Sequence, residues 1–163
     1  MNDTDADVAR LANALAARRE MLVTAESCTG GMIAAACTDR AGSSEWFERG
    51  FVTYSNAAKT QMLGVDAGLI AAQGAVSAEV AAAMATGALD HAAGQWSVAV
   101  TGIAGPGGAT PGKPVGTVWL AIAHRGSLVT VELLQLSGDR ASIRAQTVRR
   151  AVQRLLHEVE HSR

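Results

Sequence analysis

The sequence predicts an α/β fold with a mixed sheet covered by helices on both faces. Three observations carry this reading. Amphipathic helical patterns open and close the chain. Between them, short apolar runs of strand length alternate with helical segments, the layout that builds parallel strands. Near the C-terminal end, two apolar runs flank Arg125-Gly126-Ser127 as a β-hairpin, which adds antiparallel strands to the same sheet. The 163 residues suit a single domain spanning 1–163.

Taken in order, Val8, Leu11, Ala12 and Leu15 recur at i, i+3, i+4 and i+7, which predicts a helix over about residues 5–19. Met21 to Ala25 is a short apolar run and reads as a buried strand. It ends in Glu26-Ser27-Cys28-Thr29-Gly30-Gly31, after which Met32 to Ala36 reads as helix. Phe51 to Tyr54 is a second strand, followed by a short helix from Asn56 to Leu63 closed by Gly64. Ser77 is a good N-cap, with Glu79 in the first turn and a helix over Val80 to Ala93 that Gly94 closes. Trp96 to Thr101 reads as a strand. Gly102 to Pro114 is a loop that holds all three prolines of the chain. Val115 to His124 and Leu128 to Leu136 form the hairpin, and a helix over about 139–160 presents Ile143, Val148, Val152, Leu155 and Val159 on one face.

Composition narrows the function. Hydrophobic residues make up 48% of the chain and charged residues 18%, a globular balance. Fourteen cations against fifteen acids give a net charge of −1, so nothing favours general nucleic-acid binding. Cys28 and Cys37 are too few for a disulfide framework or a four-cysteine zinc site. The polar, acidic N-terminus is no signal peptide, and no apolar run reaches the roughly 18 residues of a membrane span. A soluble cytoplasmic protein is expected, with no membrane partner. Whether it forms a homo-oligomer is left open. Alanine occurs 33 times and aromatics are only six, so the core is expected to pack by close backbone approach.

Three motif matches carry little. His157-Glu158-Val159-Glu160-His161 fits the H-E-x-x-H zinc pattern, but only two residues follow it, so no downstream third ligand exists and no metal is expected. Gly107 to Pro114 nearly matches a P-loop, but Pro114 stands where a hydroxyl must be, and a strand follows instead of a helix. Cys28 would need a histidine base, and His91, His124, His157 and His161 lie outside every glycine-rich segment.

Ser27 is the stronger signal. It sits where a strand gives way to a helix, with the N–H groups of Thr29, Gly30 and Gly31 expected to face the same space. That is a nucleophile beside an oxyanion pocket. The same layout suits phosphate binding, and a serine here also reads as a plain N-cap. With no histidine placed to act as base, a desolvated lysine is the next candidate. The chain uses twelve arginines and only two lysines, Lys59 and Lys113, and both fall in segments with other functional signals.

Five ordered motifs then carry a resemblance: Thr24 to Gly31; Val52 to Asn56 with Lys59; Gly74-Ala75-Val76-Ser77; Thr101 to Gly116; and Gly138-Asp139-Arg140 with Ile143-Arg144. Over about residues 6–158 the chain closely resembles the CinA C-terminal family, the nicotinamide-mononucleotide deamidases. The resemblance implies a three-layer α/β/α fold of the anticodon-binding-domain-like type, in a stand-alone form without the molybdopterin-binding-like domain that often precedes it. It implies hydrolysis of the nicotinamide mononucleotide carboxamide, with Ser27 as nucleophile, Lys59 as general base and Tyr54 as an assisting hydroxyl. The partner implied is a small pyridine nucleotide, with no cofactor. Thr101, Gly102, Gly105, Gly107 and Gly108 offer a backbone anion nest for its phosphate, with Lys113 and Arg140 as sources of charge. Two departures stand out: Ala109 replaces a usual glycine, and Leu136-Ser137 lacks a usual aromatic. Rival readings are a non-catalytic, competence-associated nucleotide-binding module and an amidase for another small amide.

Overall fold

The computed structural model describes residues 2–162. Six helices and five strands follow in the order α1 (Asp3–Arg18), β1 (Leu22–Glu26), α2 (Met32–Thr38), β2 (Phe47–Val52), α3 (Asn56–Leu63), α4 (Ala67–Gln73), α5 (Ala78–Asp90), β3 (Trp96–Gly102), β4 (Thr117–His124), β5 (Thr130–Gln135) and α6 (Arg140–His161). The sheet runs β2-β1-β3-β4-β5. β1 pairs in parallel with both β2 and β3, while β3/β4 and β4/β5 are antiparallel. The mixed sheet expected from the sequence is therefore present.

Strand alternation divides the core into two layers. Leu22, Val98, Val100, Leu120 and Ile122 face α1, α2 and α6, whose apolar stripes supply Leu11, Leu15, Ile33, Val152 and Leu155. Val23, Ala25, Ala99, Ala121 and Ala123 face α5 and the α3–α4 pair. This second layer is built of small residues, and close approach follows. A Cβ on Gly87 of α5 would stand 2.0 Å from the Leu63 carbonyl oxygen at the end of α3, so only glycine fits that crossing. No helix among the described residues is long and apolar enough to cross a membrane.

Several boundaries differ from expectation. α4 is absent from the sequence pattern: its seven residues are too few for a helical period, and Asp66 caps it by accepting the Gly68 N–H at 2.8 Å. β2 covers Phe47–Val52 rather than 51–54; it is an edge strand whose Glu48 and Arg49 hide the apolar alternation. The helix expected to run to Ala93 ends at Asp90. The hairpin strands start two residues later than expected, at Thr117 and Thr130.

Candidate active site

β1, β2 and β3 are parallel, so their C-terminal ends share one edge of the sheet. Ser27 follows β1, Tyr54 lies just beyond β2, and Gly102 closes β3. The loops leaving parallel strands form the crevice where α/β sheets bind ligands. Here they enclose a cavity of about 290 Å³, lined by Ser27, Cys28, Tyr54, Asn56 and Lys59 on one side and by Thr101 to Gly105, Gly107, Gly108 and Arg140 on the other.

The turn after β1 is shaped by two glycines. Gly30 and Gly31 have φ of 60° and 108°, conformations that a side chain resists, and the chain reverses there into α2. Ser27 is left at the mouth of the turn, 8% exposed, its N–H held by the Val100 carbonyl at 3.1 Å. Lys59 arrives from the first turn of α3, which Ser55 caps by accepting the Ala58 N–H at 3.0 Å. Its Nζ lies 3.1 Å from Ser27 Oγ and 3.3 Å from the Tyr54 carbonyl oxygen. Lys59 is 1% exposed, and no ion pair among the described residues includes it. Burial holds its ammonium below the ordinary lysine range. A neutral lysine amine beside a serine hydroxyl can accept its proton, which is the arrangement an activated nucleophile requires.

Cys28 lines the same cavity, but burial pushes its thiol up to about 11, so it stays protonated near neutrality. Iodoacetamide at about pH 8 is therefore expected to leave Cys28 unalkylated and turnover unchanged, as peptide mass mapping and an activity assay would show.

The remaining expected residues divide. Thr101, Gly102, Gly105, Gly107, Gly108 and Arg140 come together at the cavity. Thr101 donates its hydroxyl to the Ala75 carbonyl at 2.8 Å, tying the end of β3 to the segment before α5. Arg140, at the start of α6, donates to the Gly105 carbonyl at 2.8 Å and to the Tyr54 hydroxyl at 3.2 Å. Tyr54 is 61% exposed with its hydroxyl held by Arg140, while its backbone carbonyl is what meets Ser27 and Lys59.

Two groups of expected residues lie away from the cavity lining. Thr29, Gly30 and Gly31 do not line the cavity. The Gly30 N–H closes the turn on the Ser27 carbonyl at 3.1 Å, and the Thr29 hydroxyl donates inward to Glu26 at 2.6 Å. Cys28, the residue next to the nucleophile, does line the cavity. Lys113 does not line it either. Its Nζ donates to the Gln73 carbonyl at 3.1 Å, one of the orphan acceptors at the end of α4. Sequence reasoning also passed over Asn56, which lines the cavity from the first position of α3.

With this geometry in place, comparison with known proteins is decisive. The CinA C-terminal domain family matches residues 5–159. The chain belongs to the CinA C-terminal domain family. It is 50% identical over 157 residues to the Escherichia coli (strain K12) protein named nicotinamide-nucleotide amidohydrolase PncC, covering 93% of this chain and 94% of that one. It is 54% identical over 138 residues to a CinA-like protein of Mycolicibacterium vanbaalenii, a match covering 85% of this chain and 32% of that longer protein. The crystal structure of the competence/damage inducible protein CihA from Agrobacterium tumefaciens superposes with a TM-score of 0.95 at 43% identity, over 99% of this chain and 98% of that one. The α/β fold with its mixed five-stranded sheet is therefore one found among solved CinA proteins.

Proposed function

We propose that this chain hydrolyses the carboxamide of nicotinamide mononucleotide, giving nicotinic acid mononucleotide and ammonia in pyridine nucleotide salvage in the cytoplasm. The observation that carries the reading is the buried Lys59 Nζ 3.1 Å from Ser27 Oγ at the wall of the cavity. The 50% identity to the amidohydrolase PncC over nearly the whole of both chains supports the substrate. A binding module has no use for a desolvated amine against a serine, so the pairing disfavours the non-catalytic reading.

Ser27 Oγ attacks the amide carbon and its proton passes to Lys59 Nζ. The Oγ–C bond forms, and the Cys28 backbone N–H meets the oxyanion. The C–N bond then breaks, with Lys59 returning the proton to the departing ammonia. A water replaces the ammonia, gives a proton to Lys59 and attacks the acyl carbon; the C–Oγ bond then breaks, Lys59 passes that proton to Ser27 Oγ, and the acid is released. No step calls on a metal or a cofactor. The electron-poor pyridinium ring favours attack on its own carboxamide. At about 290 Å³ the cavity is at the small end of ligand pockets, which suits a mononucleotide better than a dinucleotide. Arg140 and the Gly105–Gly108 segment face the substrate's phosphate.

Ammonia release from nicotinamide mononucleotide, its riboside, free nicotinamide and the dinucleotide tests this. The mononucleotide is expected to give the highest kcat/KM, with the riboside reduced about tenfold or more for want of a charge-assisted contact. Equal turnover of free nicotinamide would assign the site to a simpler amide.

A further inference from the structure

The turn that carries Ser27 is gripped from two sides by charged side chains that take no part in the proton transfers. On its inner side, the fully buried Glu26 carboxylate accepts three hydrogen bonds: from the Thr29 hydroxyl at 2.6 Å, the Ile33 N–H at 2.7 Å and the Ala34 N–H at 3.0 Å. The last two are free donors of the α2 N-terminus, where a negative group is also favoured by the helix dipole. On the outer side, Arg144 reaches over from α6. Its Nε donates to the Cys28 carbonyl at 3.1 Å and its Nη2 to the Thr29 carbonyl at 3.3 Å. Arg144 is in no ion pair among the described residues, so this grip on two backbone carbonyls is its principal polar engagement. Neither Glu26 nor Arg144 lines the cavity.

We propose that Glu26 and Arg144 are positioning residues that set Ser27 Oγ and the Cys28 N–H for attack. The inference rests on Ser27 being the nucleophile. The carboxylate takes donors on one side of the turn and the guanidinium takes carbonyls on the other, so the peptide planes beyond Ser27 cannot swing. A turn built on two left-handed glycines needs such bracing, because glycine restricts its own backbone least. Catalytic groups must be held within about 0.5 Å of the productive geometry, and a misplacement near 1 Å costs up to ~10²-fold in rate. Since neither side chain faces the substrate, their loss falls on kcat and leaves KM alone.

The test compares Arg144→Ala, Glu26→Gln and Ser27→Ala with the unaltered enzyme, with thermal unfolding measured alongside. Arg144 is partly exposed, so Arg144→Ala decides the matter if Glu26→Gln fails to fold. Arg144→Ala is expected to lose about 10- to 100-fold in kcat with KM within about twofold. Added guanidinium ion is expected to restore part of that loss by refilling the vacated fork, a rescue that a general loss of stability would not show. Unchanged kcat in Arg144→Ala, or a loss that guanidinium does not relieve, overturns the proposal while Ser27→Ala remains inactive. Turnover by Ser27→Ala removes the nucleophile and the proposal together.

Discussion

Ser27→Ala is expected to give a folded protein that releases ammonia at least ~10⁴-fold more slowly, the scale of losing a covalent nucleophile whose partners remain. The fold survives because little depends on the hydroxyl. Its neighbours are Lys59 Nζ at 3.1 Å and the Tyr54 carbonyl at 3.4 Å, and these two still meet each other at 3.3 Å. One such hydrogen bond is worth about 1 kcal/mol net. The backbone of the turn is held by other groups, including the Val100 carbonyl on the Ser27 N–H. Steady-state ammonia release and a thermal melt on the same preparation check both halves. Residual turnover near that of the unaltered enzyme would remove Ser27 from the chemistry.

Lys59→Met is expected to trade activity for stability. Removing a general base costs about 10²–10⁴-fold in kcat. Lys59→Arg should fare no better, because a guanidinium stays protonated at every working pH. Stability moves the other way. Burial lowers the folded-state pKa of Lys59, while the unfolded chain titrates near the ordinary ~10.4. Between those two values the unfolded chain binds a proton that the folded chain does not, so stability rises with pH across that window. Below the lowered value both states are protonated, and the folded protein carries the full cost of a buried ammonium. Methionine has no such cost. Lys59→Met is therefore expected to melt at a higher temperature near neutrality, with the gain shrinking as pH climbs toward ~10.4. The activity of the unaltered enzyme is expected to rise with pH through the same lowered value. Melting curves and kcat/KM across pH read both. A full-rate Lys59→Arg variant would make Lys59 a structural cation.

Long-period patterns made much of the fold legible. α1 and α6 show an apolar face over many turns, and α3 runs from Asn56 to Leu63 with Gly64 closing it, as the sequence predicts. α4 escaped because seven residues with a glycine among them show no period. Its carbonyl end is where the Lys113 ammonium donates, to Gln73. The site was legible in its residue types and less so in their atoms. Ser27 and Lys59 meet as expected, yet Tyr54 meets them through its carbonyl, and no sequence pattern distinguishes a backbone oxygen from a phenol. The Gly30 donor is spent inside the turn, on the Ser27 carbonyl, a closure that residue types alone do not show. Nor does a sequence show where Glu26 turns: its carboxylate takes the Thr29 hydroxyl and the Ile33 and Ala34 N–H groups of α2.

The account turns on a covalent bond between substrate and Ser27, and peptide mass mapping of enzyme quenched in acid during turnover of nicotinamide mononucleotide tests it most directly. The predicted result is an added mass equal to the acid product less one water, located on the peptide at Ser27 and missing from Ser27→Ala. The same mass on Cys28, or an unmodified chain in the midst of full turnover, would contradict it.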